Sequence, residues 1–211
     1  MPLEKIEIAD NHAWALWRIE EDEKTLAAQV SIFETVAATV THSTKRLEWY
    51  AGRGLVKLLL EKWGMPFQGV TKNEFGKPFP VGCPYQLALS HSYPYVAALI
   101  DKHYSVGIDV EQPKTKLLKI APRILDTDEL DDAGDDIIKH CIYWCAKESL
   151  VKVHGKKDLT FSKNLKISPF RLEKEGDIIG KIIVAHTETT IPLQYLVTEK
   201  FILVWSKNKT R

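Results

Sequence analysis

The sequence predicts an α+β protein made of two similar α/β halves, residues 1–103 and 104–211, joined near Tyr104. Two features of the 211 residues carry that prediction: each half runs from a helix-period stretch into short strand-like segments, and no Gly-, Ser- or Pro-rich linker interrupts the chain. In order, residues 13–19 (AWALWRI) read as a strand, and residues 21–38 carry Leu26, Val30, Phe33 and Ala37 at helical spacing. A long helix is predicted over 43–63, opening on Ser/Thr cap residues and closing at Gly64 with Pro66 beyond. Residues 67–84, broken by six Gly and Pro, read as loop around Phe75-Gly76-Lys77-Pro78. Residues 85–91, 95–100 and 104–110 then read as an antiparallel meander. Seven acids crowd residues 126–136, a helix start and loop with no site assigned; 137–153 is strongly helical, and 178–185 and 195–206 read as strands.

Composition narrows the function classes. With 29 Lys+Arg against 28 Asp+Glu the net charge is +1, which argues against a nucleic-acid partner recognised through overall positive charge. Hydrophobic residues at 45% and charged residues at 27% are an ordinary folded mix. The longest apolar run, residues 95–100, is far short of a membrane span, and Glu4, Lys5, Glu7 and Asp10 stand where a secretion signal is apolar, so a soluble, cytoplasmic protein is expected. Cys83, Cys141 and Cys145 form neither a disulfide framework nor a zinc pattern and read as small core residues in a reducing compartment.

Four pieces carry chemistry. In Val106-Gly107-Ile108-Asp109-Val110-Glu111, strand alternation sends Asp109 and Glu111 to one face and Ile108 and Val110 to the core, while Gly107 leaves room for another group to approach closely. Two adjacent carboxylates are either a solvated strand face or ligands of a hard cation such as Mg²⁺. In the helix Trp144-Cys145-Ala146-Lys147-Glu148-Ser149-Leu150-Val151-Lys152, the wheel places Glu148 about 90° and Lys152 about 50° from the centre of the apolar stripe, with Lys147 on the opposite side. That marginal pair is either a lysine snorkelling from the core or two groups awaiting a metal and a phosphorylated ligand. Leu89-Ser90-His91-Ser92 ends a strand and offers phosphate ligands or turn formers; Ser90 and His91 point to opposite faces, which argues against a nucleophile pair. Arg46, Arg53 and Lys57 on the long helix, with Lys77 in its turn, are either a solvated stripe or phosphate contacts.

Together these pieces resemble the signature of the Sfp-type 4'-phosphopantetheinyl transferases. The family strand V-G-I-D-x-E matches residues 106–111, and its helix W-x-x-K-E-x-x-x-K matches residues 144–152, at every defined position. The G-K-P turn at Gly76, Lys77 and Pro78, the S-H element at Ser90 and His91, and the A-G-R segment at Ala51, Gly52 and Arg53 follow the family order. The resemblance covers residues 46 to 155. It implies the pseudo-duplicated 4'-phosphopantetheinyl transferase fold, with coenzyme A in a cleft between the halves. The implied reaction moves the 4'-phosphopantetheine arm of coenzyme A to a serine of an acyl or peptidyl carrier protein, releasing adenosine 3',5'-bisphosphate. It also implies Mg²⁺ on Asp109, Glu111 and Glu148, with Glu148 as base and Lys152 on the bridging phosphates. Ser90, His91 and Arg53 would take the 3'-phosphate, and Lys77 and Pro78 the adenine. Lys147, also in the pattern, either reaches round to a phosphate or is structural; Trp144 packs the helix. A monomer that meets neither nucleic acid nor membrane is expected, with Lys156, Lys157, Lys163, Lys166 and Arg171 as its carrier-docking stretch. The rival readings are a Mg²⁺-dependent hydrolase of nucleotide pyrophosphates and a non-catalytic coenzyme A binder.

Overall fold

The computed structural model describes residues 3–207 and divides the chain at Val106–Gly107 into two units. The class is the expected mixture of helices with antiparallel sheets.

Unit 1 opens with β1 (Leu3–Ile8) and β2 (His12–Arg18), followed by α1 (Glu23–Val30), α2 (Ser43–Lys62), the short β3 (Val70–Lys72) and β4 (Pro78–Pro80), then β5 (Gln86–Ser92) and β6 (Tyr95–Asp101). Four strands form an antiparallel sheet in the order β1-β2-β6-β5. Alternation presents Ala13, Ala15 and Trp17 of β2 and Val96, Ala98 and Ile100 of β6 to the same core as Ala51, Leu55 and Leu59 of α2. The small alanines at Ala15 and Ala98, paired across the strands, leave space for the helix.

Three expectations fail in this unit. The helix expected over 21–38 stops at Val30: the following Thr- and Val-rich stretch is a poor helix former, and Glu34 is turned away to accept from Val70 N at 3.0 Å. The stretch read as loop holds the β3–β4 ribbon, whose turn is tied by Asn73 Oδ1 accepting from Phe75 N and Lys77 N. The meander has no third strand either. After β6, Asp101 Oδ1 accepts from His103 N and Tyr104 N, both at 2.7 Å, and caps a turn. Strand structure resumes only at Ile108 and belongs to the other sheet.

Unit 2 comprises β7 (Ile108–Glu111), α3 (Lys116–Ile124), α4 (Thr127–Ala133), α5 (Ile137–His154), α6 (Phe161–Asn164), β8 (Leu165–Ile167), β9 (Glu175–Val184), β10 (Thr187–Val197) and β11 (Ile202–Ser206). Its sheet is antiparallel throughout, in the order β7-β11-β10-β9-β8. Helix α5 is delimited by Asp136, whose side chain accepts from Ile138 N and Lys139 N, and by Gly155 in the left-handed conformation. Cys141, Ile142, Cys145 and Leu150 pack on Ile178, Leu193, Ile202 and Val204, so both helical cysteines are core residues as expected.

The single strand expected over 195–206 is two, because Thr198 folds the chain back: its Oγ1 donates to Phe201 O and accepts from Phe201 N. Helix α3 escaped notice because Pro122 interrupts its sequence pattern. Among the described residues no helix is long and apolar enough to cross a membrane.

Candidate active site

Gly107 brings the two motifs of unit 2 together. A Cβ at this position would stand 1.9 Å from Ser149 O and 2.7 Å from its carbonyl carbon, so only glycine lets the chain entering β7 lie on the backbone of α5. The contact is fastened on both sides: Gly107 N donates to Ser206 Oγ at 3.1 Å, and Ser149 Oγ donates to Val204 O at 3.1 Å. The next turn of α5 completes it, Lys152 Nζ donating to Ile108 O and to Asp109 Oδ1, each at 2.7 Å.

This register sets the electrostatics. Asp109 is 5% exposed and shares its ion pair with Lys152. Burial, then the charge on Asp109, push the Glu148 carboxyl up to about 7; Lys152 opposes the rise and Glu111 adds to it. The carboxylates of Asp109 and Glu111 therefore act on Glu148, and the Lys152 ammonium partly offsets them there. Among the described residues no group of three or more Asp, Glu, His or Cys side chains is gathered tightly enough to hold a metal ion. The donor set nevertheless fits a hard divalent cation: all three groups are carboxylates, and Glu148 is raised first by burial and then by the charge on Asp109. The arrangement can take up a proton at Glu148 near neutrality and carries the Lys152 ammonium beside Asp109.

Lys147 does lie on the side of α5 away from the sheet, but that side is covered and not wet. The residue is 0% exposed. Its Nζ donates to Glu129 Oε2 at 2.5 Å, Ile124 O at 2.8 Å and Phe161 O at 3.3 Å, which occupies all three of its protons and excludes a phosphate. The wheel expectation is corrected on this point: α3, α4 and α6 bury that face. Glu129, in the acidic run to which no site was assigned, completes the capping box of α4 and also accepts from Ile167 N at 2.8 Å. Trp144 stacks on Phe161 at 5.7 Å between ring centres, the packing role expected of it. In the basic stretch Lys156, Lys157, Lys163 and Arg171 are exposed, whereas Lys166 is held by Asp126 and Ser162 O.

In unit 1, Lys77 donates to Ser105 Oγ, and burial draws its ammonium down to about 8. Pro78 is half-buried in β4. Alternation along β5 sends Ser90 inward and leaves His91 exposed. Arg53 is turned into the fold: its guanidinium lies 4.0 Å from the Trp49 ring centre and its Nε 3.3 Å from Glu34 Oε1, so it is engaged in packing rather than presented to a ligand. The sequence reading passed over Glu48, which is 4% exposed. It accepts from Lys45 Nζ at 2.6 Å and from Tyr93 N at 3.2 Å, and pairs with His91 Nδ1 at 3.2 Å. A signal existed: Glu48 shares the α2 stripe of Gly52, Leu55 and Leu59, where a carboxylate needs a buried partner.

Residues 105–205 match the family model described as the 4'-phosphopantetheinyl transferase superfamily. This stretch is a domain of that superfamily. The match takes in β7, α5 and nearly the whole sheet of unit 2, including both motifs joined at Gly107. No curated protein matches the chain. The match supports a transferase acting in phosphopantetheine transfer.

Proposed function

We propose that the protein is an Sfp-type 4'-phosphopantetheinyl transferase that moves the arm of coenzyme A to a serine of an acyl or peptidyl carrier protein. The observation that carries this reading is the Gly107–Ser149 contact, which places Asp109, Glu148 and Lys152 of two separate motifs in one electrostatic group.

Asp109, Glu111 and Glu148 are the residues that would hold Mg²⁺. When bound, Mg²⁺ neutralises pyrophosphate oxygens and favours displacement at phosphorus. Lys152, whose ammonium spans Ile108 O and Asp109, turns a proton toward the bridging phosphates. Glu148 accepts the serine proton, directly or through water, as the serine oxygen bonds to the phosphorus bearing the pantetheine arm. The bond from that phosphorus to the bridging oxygen breaks, and adenosine 3',5'-bisphosphate leaves with the electron pair. Lys77 and Pro78 are assigned to the adenine, and Ser90 and His91 to the 3'-phosphate; Arg53 and Lys147 are left in their packing roles. We also infer a duplicated plan, since each unit lays one long helix, α2 or α5, on an antiparallel sheet. Lys156, Lys157, Lys163 and Arg171 are offered as the docking surface for an acidic carrier.

Incubation with coenzyme A, Mg²⁺ and an apo carrier tests the reading by mass spectrometry. A carrier mass gain of one phosphopantetheine, with adenosine 3',5'-bisphosphate released, is expected. Cleavage of coenzyme A without a carrier would replace transfer by hydrolysis, and binding without turnover would make the protein a coenzyme A binder.

A further inference from the structure

Strand β7 is an edge strand of four residues, and among the described residues β11 is the only strand that pairs with it. The ladder between them runs from Ile202 opposite Glu111 to Trp205 opposite Ile108. One residue further, Gly107 and Ser206 make half of the next rung. Ser206 N donates to Gly107 O at 2.8 Å, but Gly107 N donates to Ser206 Oγ at 3.1 Å, where a regular antiparallel pair returns the bond to the backbone carbonyl. A side-chain hydroxyl has taken the place of a peptide acceptor. Ser206 lies two residues after Val204, so both side chains face the same side of the sheet, and Val204 packs in the core that α5 covers. The hydroxyl therefore stands on the α5 side, and an amide that follows it leaves the ladder toward the helix. That is the direction in which Gly107 meets the Ser149 carbonyl. Ser206 is 2% exposed, so no bulk water stands in for its hydroxyl. Without it the Gly107 amide would either stay unsatisfied or swing back into the ladder.

We propose that Ser206 is a positioning residue for the reaction: its hydroxyl draws the Gly107 amide out of the ladder and so fixes how closely β7 brings Asp109 to Glu148 and Lys152. Asp109 follows Gly107 by two residues, and its ion pair with Lys152 at 2.7 Å is the contact that this placement sets. Ser206 stands one residue beyond the stretch that the family model matches. The inference rests on the reading of Asp109, Glu148 and Lys152 as the reacting group.

Ser206→Ala, Ser206→Thr and Ser206→Cys are compared with wild type in the full chain, beside Ile191→Val, a core variant on β10, which does not pair with β7. Deuterium exchange of the Gly107 amide, followed by NMR, should quicken by about tenfold or more in Ser206→Ala and stay at the wild-type rate in Ser206→Thr, which keeps the hydroxyl. Transfer to an apo carrier should show kcat lower by about tenfold to a hundredfold in Ser206→Ala, with KM for coenzyme A moving less than about twofold, and Ser206→Thr should restore it. Binding of Mn²⁺ alone, followed by electron paramagnetic resonance, should weaken by about tenfold in Ser206→Ala. Ile191→Val should lower Tm and leave kcat unchanged, which separates placement from stability. If Ser206→Ala does not fold, Ser206→Cys, close to serine in size but a weak acceptor, decides by the same readouts. A faster Gly107 amide with wild-type kcat and Mn²⁺ affinity overturns the proposal and leaves phosphopantetheine transfer standing, and so does a threonine variant as slow as alanine. Wild type that transfers nothing and takes up no Mn²⁺ overturns both.

Discussion

Replacing Gly107 by alanine tests the contact on which the proposed catalytic geometry depends. The new Cβ would lie 1.9 Å from Ser149 O and 3.0 Å from Ser149 Cα, and both are backbone atoms of a helix that cannot rotate out of the way. Restoring an ordinary carbon–oxygen contact requires β7 and α5 to separate by roughly 1.3 Å, in a core packed too densely to absorb it. Overpacking of this kind costs about 3 kcal/mol. For a chain of this size that corresponds to a fall in Tm of roughly 6–12 °C. Activity should suffer beyond the loss of folded protein, because a shift of about 1 Å between Asp109 and the Glu148–Lys152 pair costs on the order of a hundredfold in rate. Circular-dichroism melts and the carrier mass-shift assay, run on the same preparation well below Tm, separate the two effects. Ser149→Gly added to Gly107→Ala should rescue neither, since the clash is with the carbonyl and not the hydroxymethyl group. An alanine variant with wild-type Tm and wild-type transfer would refute the claim that this close approach assembles the site.

The other expectations concern charges. Lys147→Met removes the ammonium from the buried Glu129 and should lower stability by about 3–5 kcal/mol, and adding Glu129→Leu should not restore it, because Ile167 N and the α4 capping box lose their acceptor; thermal melts of the single and double variants decide between this and a surface role. Glu148→Gln should leave a folded protein whose transfer rate has dropped by about 10² to 10⁴, and a rate near wild type would remove Glu148 as the base. Because the folded-state pKa of Glu148 is raised to about 7 from 4.5, the metal-free protein gains stability from its protonated form at low pH and loses it as pH rises from 4.5 through about 7. A divalent cation offsets that loss, so Mg²⁺ should raise Tm more at pH 8 than at pH 6; equal shifts by differential scanning fluorimetry would contradict the carboxylate cluster as its ligand. Excess chelator should abolish transfer, and turnover persisting in it would dismiss the metal assignment.

Local signals in this chain were readable wherever one element supplied them. The α5 helix announces itself by its apolar period between Asp136 and Gly155, and the alternation around Asp109 and Glu111 states which face of β7 carries the acids. Gly107 showed that something had to come close. That the something is the Ser149 carbonyl depends on which strand lies on which helix, a pairing separated by 42 residues that no local pattern encodes. The same limit hid Lys147 and Glu48. A helical wheel assumes one dry side and one wet side, but α5 is covered on both, and a lysine on its second side becomes a buried ion pair with Glu129. Glu48 occupies an apolar stripe, and its partner His91 comes from a strand 43 positions away.

The residue order by itself determined the class of fold, the long helices, and which short stretches carry acids and lysines in the pattern the family resemblance singles out, because hydrophobic period and side-chain type are properties of short stretches. Tertiary structure decided which of the charged residues are spent inside the protein and which are left for a ligand. Charge compensation acts over a few ångströms of space regardless of distance along the chain, so Arg53 and Lys147 go to packing while Lys152 is held half-buried beside Asp109.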